Sequence, residues 1–595
     1  MTSQQTANKD ELSFGIELEF LFYFLDPEQV ALLEADGVTP DPDALTVDAD
    51  EEARLPPPLI LPEGIKFDNE YHDFDDYQDP PRDWAVSLIQ QAILSVRGAR
   101  LDNQPMPAGT PESYGSLYVM SDHMDSHSGW TIKNDITVQD KDMKIRGYSC
   151  LSFEITSPAL WDRPESHRQV YLVLQEFLKR FRLRVNIHTG FHCHVGAGVE
   201  TDEEEDEEQQ QKAKTTLMPG YGVPEGRGAK HSLGVFKRAA ALMWAADGFL
   251  CHAHPPERGL NVYSPPIRFC SRLSRGLQTR YVQSESGWEA DIKEFPLGDA
   301  TVGASSVAES ADLLLPEQDL PSHKFPRVDD RRFPVERPEK ADDEACKRFE
   351  AMSDRQSITS INDLSNKTVY GGVGHIMRCK SRPEVAQLFA PPNATAYYNR
   401  PNYNLRDYLG GDFDSASLGT GTVEFREATG TMSPEWVSAW SNICLGFFRF
   451  ARDASDARFN AVVAQLAKAE AAAQGRTTTT TTPRDSEHRY DMISLLFDMG
   501  LFAEGLFLER KLRKDALRFW YPNRLGKRKT NAGTEVEEGG EPYETHWQTN
   551  RGADDDESIP SVESSPFLQS PTEWFEASGS AAAALQSSYQ GGPSG

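Results

Sequence analysis

The chain has 595 residues, a net charge of −31 and 26% charged side chains, so it is long enough for two or more domains and too acidic to offer the basic surface that nucleic acid or an anionic membrane requires. Its seven scattered cysteines form no CxxC pair, which predicts reduced thiols and a cytoplasmic protein. The first apolar stretch is interrupted by Glu17 and Glu19 and follows no basic leader, so it predicts neither a secretory signal nor a membrane span.

The predicted elements begin with a strand at 14–24, followed by an Asp-, Glu- and Pro-rich stretch at 26–83 that predicts an irregular insertion. Apolar residues then recur with helical spacing, which predicts helices over 84–97, 164–182 and 232–250. A fourth helix is predicted from its start signals, with Ser433 as the N-cap and Pro434 at the first helical position.

Breaks in composition divide the rest of the chain. The run 200–208 is acidic at eight of nine positions and predicts a solvated insertion over 200–226. A third insertion over 286–350, a Thr-rich linker at 473–486, a helical segment at 487–524 and a disordered tail at 525–595 are predicted in the same way. The main prediction is one α+β domain over 12–472, with helices packed behind an antiparallel β-sheet that lines the site.

Four strand-like runs share one design, in which bulky apolar residues alternate with chemically active ones. The runs and their polar residues are 14–24 with Glu17 and Glu19, 151–158 with Glu154, 189–198 with His192 and His194, and 421–427 with Glu424 and Arg426. If these strands belong to one sheet, a single surface carries carboxylates, two imidazoles and a guanidinium.

The polar residues indicate metal and phosphate chemistry. Carboxylates such as Glu17 and Glu19 repel each other when water is removed, and a hard divalent cation relieves that repulsion, which indicates Mg²⁺ with Mn²⁺ as the alternative ion. The planar fork of Arg426 matches phosphate or carboxylate oxygens. Metal and arginine around a phosphoryl group form the recurring arrangement for phosphoryl transfer.

Each residue also has a purely structural interpretation. A Glu-x-Glu pair on a strand is usually a solvated sheet face, and Glu424 with Arg426 is in that case a surface ion pair. His192 and His194 are then half-buried histidines, or ligands of zinc, and Cys193 is a small buried residue. The recurrence of one design in four runs favours the functional interpretation.

Seven motifs follow one another along 12–24, 129–275 and 395–452. They are FGIELEF (14–20), GWTIKNDITV (129–138, with Trp130 and Asp135), SFEITSPAL (152–160), NIHTGFHCHVGAG (186–198), PPERGLNVYSP (255–265), RPNYNLRDYL (400–409) and TVEFREATGTMSPEWVSAW (422–440). In this order they resemble the amidoligase family, carboxylate–amine ligases related in fold to glutamine synthetase and glutamate–cysteine ligase.

The resemblance implies a glutamine synthetase-like fold and ATP-dependent formation of an amide or peptide-like bond through an acyl phosphate. It implies the following roles: Glu17, Glu19, Glu154, Glu424 and His192 as Mg²⁺ ligands; Arg426, His192 and His194 as catalytic residues; Arg426, Arg258 and Asn261 as contacts to ATP or substrate. The implied partners are a small-molecule or peptide carboxylate and an amine. The insertions have no counterpart in the family, so neither the substrates nor the oligomeric state is identified.

Two other classes of function remain open. A metal-dependent hydrolase explains His192 and His194 as zinc ligands but gives no role to Arg426 or to four separated carboxylates. A non-catalytic protein that keeps the fold and binds a partner is compatible with the long insertions. The retained carboxylates and Arg426 argue against it.

Overall fold

A computed structural model describes a set of segments that carries most of the predicted elements. These are 12–34, 52–65, 80–99, 101, 129–135, 138, 145–186, 188–197, 231–250, 253–254, 264–274, 276–283, 290–296, 368–391, 400–408, 421–473, 490–515, 528–529, 535–536 and 547–548. The chain divides into two compact units. Unit one comprises Met1–Ile16, Gly190–Thr429 and Ile443–Tyr543, and unit two comprises Glu17–Thr189, Gly430–Asn442 and Glu544–Gly595.

Helices and strands are interspersed along the chain. The strands are β1 (Ser13–Leu25), β2 (Thr131–Lys133), β3 (Tyr148–Thr156), β4 (Leu160–Trp161), β5 (Arg182–Arg184), β6 (Gly190–Gly196), β7 (Leu277–Gln283), β8 (Ala290–Pro296), β9 (Tyr403–Asn404), β10 (Thr422–Thr429), β11 (Arg528–Lys529), β12 (Glu535–Val536) and β13 (Trp547–Gln548). The helices are α1 (Pro27–Glu34), α2 (Pro80–Leu94), α3 (Pro164–Arg180), α4 (Leu233–Leu250), α5 (Ile267–Cys270), α6 (Val369–Arg378), α7 (Arg382–Phe389), α8 (Pro434–Asp453), α9 (Asp456–Ala473), α10 (Met492–Met499) and α11 (Phe502–Asp515), with a 3₁₀ turn at Arg406–Tyr408.

The predicted helices are confirmed, with shifts of a few residues at their ends. Helix α2 begins at Pro80, earlier than predicted, whereas α3 and α4 match their predicted starts to within one residue. Helix α8 begins at Pro434, and the Ser433 hydroxyl accepts a hydrogen bond of 3.2 Å from the Trp436 backbone N–H. This is the N-cap that the sequence predicts.

Several elements lie where the sequence predicts irregular chain. Helix α1 lies in the predicted insertion at 26–83, and the antiparallel β7–β8 hairpin extends into the insertion at 286–350. The two-residue strands β11, β12 and β13 lie in the predicted tail. These strand pairs are held by backbone hydrogen bonds, which every residue except proline can donate. Such pairs therefore form without the apolar periodicity from which strands are predicted. The insertion at 200–226 and the linker, apart from Ala473, lie outside the described residues.

Unit two is an antiparallel sheet covered by helices on its apolar face. Residues 17–25 of β1 pair with β3 on one side and with β5 on the other, and β2 extends the sheet from β3. The rings of Phe20 and Phe22 are fully buried and contact Phe177 and Phe181 at the end of α3. Trp84 of α2 packs edge-on against Phe22. The apolar face of β1 therefore forms the core, as its alternation predicts.

Unit one contains a second set of antiparallel pairs. Strand β10 pairs with β6 on one side and with β9 on the other, and residues 13–16 of β1 belong to the same unit. Phe425 of β10 is buried against Tyr403 and against two rings of α8, Phe447 and Phe448. Antiparallel sheet with helices on its apolar side defines the α+β class in both units.

Two structural findings concern membrane spans and disulfides. No helix among the described residues is long and apolar enough to cross a membrane. The five cysteines within those residues (150, 193, 270, 379 and 444) take part in no disulfide.

The aromatic core of unit two gives a prediction of stability. Phe22→Ala removes a ring that contacts Trp84, Phe153 and Phe181, so it should lower the free energy of unfolding by about 3–5 kcal/mol. Leu94→Ala, at a side chain that is 45% exposed, is the matched control and should cost less than about 1 kcal/mol. Urea denaturation of both variants measures the difference, and equal costs would contradict this packing.

Candidate functional site

Three carboxylates from neighbouring segments of unit two converge at one place. Glu19 of β1, Glu154 of β3 and Asp135 after β2 each present an oxygen, and these oxygens lie within 4.8 Å of one another. We call this group the carboxylate triad. It uses oxygen donors alone, which is the chemistry that Mg²⁺ and Mn²⁺ prefer.

The strand register explains why the triad forms. Glu19 lies directly opposite Glu154 in the β1–β3 ladder, and Lys133 lies opposite Glu154 on its other side. The adjacent Phe20 faces the core, and side chains alternate between the two faces of a strand. Burying the aromatic residues of β1 therefore places Glu19 on the polar face beside Glu154.

Charge repulsion and burial act together on the triad. Burial raises the pKa of the Glu154 carboxyl above its usual range, the negative charge of Glu17 raises it further, and Asp135 adds a smaller rise. Lys133 opposes these effects without cancelling them. Repulsion from neighbouring carboxylates thus adds to burial at Glu154, and a bound divalent cation relieves such repulsion.

Two donors contact the same oxygen of Glu154, Oε1. Lys133 Nζ lies 3.3 Å from Glu154 Oε1, and the Thr156 hydroxyl donates to the same oxygen at 3.2 Å. Lys133 is half exposed, whereas Glu154 is largely covered. The Lys133 end of this contact therefore reaches solvent, whereas Glu19 within the triad is buried.

Unit one holds a second polar group, centred on Glu424 of β10. His194 of β6 lies opposite Glu424 on one side and Asn404 of β9 on the other. The Asn404 side chain donates to Glu424 Oε2 at 2.7 Å. On Oε1, His192 Nδ1 lies at 3.6 Å and His194 Nε2 at 4.0 Å. We call these four residues with Arg426 the Glu424 group.

Arg426 completes the Glu424 group from the same strand. Its guanidinium donates to Glu424 Oε1, so the two side chains share a face of β10, as the sequence predicts. Strand β10 has a register shift between Phe425 and Ala428. On the other side of the strand the β9–β10 register continues, and the Arg426 backbone N–H donates to the Asn402 carbonyl at 2.7 Å.

A buried carboxylate supports Asn402 from behind. The Asn402 side chain donates to Asp247 Oδ1 at 2.6 Å and accepts from the Ile267 backbone N–H at 3.0 Å. Asp247 also accepts from the Arg268 backbone N–H at 2.9 Å. Burial raises the pKa of Asp247 to about 6 in spite of these contacts. This chain of bonds fixes the backbone on which Arg426 is placed.

The structure brings the predicted residues together as two groups. Glu17, Glu19 and Glu154 lie in unit two, and His192, His194, Glu424 and Arg426 lie in unit one. The predicted contacts Arg258 and Asn261 lie outside the described residues. The individual roles assigned to all these side chains stay predictions.

Three contributors were not predicted as site residues. The sequence shows Asp135 only as part of the motif at 129–138. Its fixed spacing from Trp130 in that motif is the signal that marks it as a site residue. Asn404 lies within another of the motifs. Asp247 is an acid within the apolar helix α4, and an unexplained charge on a buried helix is itself a signal.

The chain matches no protein-family model, no curated protein and no solved structure. The resemblance carried by the seven motifs therefore remains a prediction. Any assignment of function rests on the two groups of side chains and on those motifs.

The buried carboxyl gives a prediction of pH dependence. The pKa of Asp247 is raised from 3.8 to about 6, so its contribution to stability is complete below pH 3.8 and is lost as the pH rises through 6. Relative to Asp247→Asn, the wild type should lose on the order of 3 kcal/mol between pH 4 and pH 7. Chemical denaturation across this range measures the loss.

The variant and its control separate titration from packing. In one orientation of the asparagine that replaces Asp247, its amide N–H would face the Arg268 N–H, so that two donors oppose each other. This lowers the free energy of unfolding by an amount that does not depend on pH. Asp456→Asn, at a side chain that is 90% exposed, should keep the wild-type slope. If Asp247→Asn also kept that slope, the titration would belong to another group.

Proposed function

We propose that the protein is an ATP- and Mg²⁺-dependent carboxylate–amine ligase with a glutamine synthetase-like fold. The reaction class joins a carboxylate and an amine into an amide and converts ATP to ADP and phosphate, with one carboxylate oxygen leaving in the phosphate. The observation that carries the proposal is the carboxylate triad, since three oxygen donors at one place, with repulsion from neighbouring carboxylates, fit a hard divalent cation. The seven motifs in order are the second support.

Glu19, Asp135 and Glu154 would hold the cation in this proposal. A bound Mg²⁺ would supply neutralisation of phosphate charge and orientation of the nucleotide. Because Glu19 and Glu154 stand on paired strands, their separation is set by the ladder and needs little reorganisation on binding. Glu17 adds negative charge nearby, which strengthens the attraction for a cation.

The Glu424 group would handle the anionic and proton-transfer parts of the chemistry. Arg426 offers a planar fork for phosphate or carboxylate oxygens, and its contact with Glu424 fixes the guanidinium in one orientation. Asn404 holds the other oxygen of Glu424. His192 and His194 are imidazoles beside a carboxylate, and imidazole is the side chain that most often transfers protons in enzymes.

A zinc hydrolase is the second candidate, and one distance pair favours it. Oxygen Oε1 of Glu424 lies 3.6 Å and 4.0 Å from nitrogens of His192 and His194, close to the separation of donors around a tetrahedral zinc ion. The Arg426 guanidinium donates to that same oxygen. A zinc ion there would have to face a fixed positive charge, so the ligase is the better supported proposal.

Turnover of ATP provides the test. Mixtures of amino acids, polyamines and peptides are screened as paired carboxylate and amine substrates, and ADP release is measured with Mg²⁺ and with zinc. The wild type should release ADP only with Mg²⁺ or Mn²⁺ and a substrate pair. Asp135→Asn should lower turnover at least about tenfold because it removes one negative charge from the ligands of the cation.

A control variant isolates the triad from general charge loss. Glu176→Gln removes a carboxylate on α3 that pairs with Lys179 and Arg180, and it should leave ADP release unchanged. Normal turnover by Asp135→Asn would remove the triad from the mechanism. Zinc-dependent hydrolysis without ATP would move the assignment to the hydrolase.

A further inference from the structure

Lys133 is a cationic side chain that the structure places directly on the carboxylate triad. It ends β2 and lies opposite Glu154 in the β2–β3 ladder, with Nζ 3.3 Å from Glu154 Oε1. Asp135 follows two residues later and supplies an oxygen to the triad. One short segment therefore delivers both a carboxylate and a positive charge to the same place.

The lysine pair is easily broken. Lys133 is 50% exposed and Glu154 is 16% exposed, and exposed ion pairs contribute little stability. A lysine ammonium is a compact charge on a flexible stem with rotatable donors, so it moves without disturbing the strand. A divalent cation on the three carboxylates attracts them more strongly than one ammonium does and repels that ammonium.

We propose that Lys133 is an exchangeable counter-ion of the triad. Without metal, its ammonium neutralises Glu154; when a divalent cation binds, the ammonium leaves Glu154 and contacts the phosphate oxygens of the nucleotide that accompanies the cation. Ammonium groups bind phosphate well as point charges. This inference rests on the proposed function, since it takes the ligand of the triad to be a metal–nucleotide complex.

The exchange predicts two effects of opposite sign. Lys133→Met keeps the length of the stem and removes the charge. The variant should bind Mn²⁺ alone about two- to fivefold more tightly, because no ammonium competes for Glu154, and should bind the complex of Mn²⁺ with a non-hydrolysable ATP analogue about two- to fivefold more weakly. Calorimetry of the full chain measures both dissociation constants without any turnover.

Two further variants serve as controls. Lys179→Met removes a lysine of similar exposure, 52%, from an ion pair with Glu176 on α3, and both affinities should stay at wild-type values. Lys133→Arg keeps a positive charge at the triad, so its affinity for Mn²⁺ alone should stay near that of the wild type.

The outcomes separate the inference from the proposed function. Opposite shifts in Lys133→Met and none in Lys179→Met support the exchange. Mn²⁺ binding by the wild type, with Lys133→Met unchanged or shifted in one direction for both ligands, overturns the exchange and leaves the metal site in place. A wild type that binds neither Mn²⁺ nor its nucleotide complex overturns the proposed function and the exchange together.

Discussion

Like charges that face each other across paired strands are destabilising, and Glu19 faces Glu154 in the β1–β3 ladder. The pairing cannot slip to avoid this contact, because a shift of one residue would expose Phe20 and bury the carboxylates. Repulsion on the polar face is thus the cost of an aromatic core on the other face. A divalent cation bound by these carboxylates would relieve the repulsion, so the repulsion favours cation binding. This links the packing of unit two to its proposed chemistry.

Period-two patterning was enough to predict much of this arrangement. Phe20 and Phe22 alternate with the acids of β1, and Val423 and Phe425 alternate with Glu424 and Arg426. In both strands the predicted apolar face is buried. The start of α8 was also predictable, because serine at the N-cap followed by proline at the first helical position is typical of a helix N-terminus. Such signals lie within a few residues of the structure that they specify.

The rest of the site depends on partners that are distant in sequence. Asp135 follows a strand of three residues, which is too short for periodicity to place it. Asp247 and Asn402 are separated by 155 residues, and their contact follows only from the fold. The bulge of β10 against β6 is likewise absent from the sequence pattern, because one extra residue in a strand leaves no mark in its alternation until the partner register is known.

The central claim is that the carboxylate triad binds a divalent cation, and anomalous diffraction from crystals grown with Mn²⁺ tests it most directly. The account predicts a manganese peak bounded by oxygens of Glu19, Asp135 and Glu154, at bond lengths typical of hard oxygen ligands. Manganese found elsewhere, with no peak at these three carboxylates and Lys133 still on Glu154, would contradict the claim.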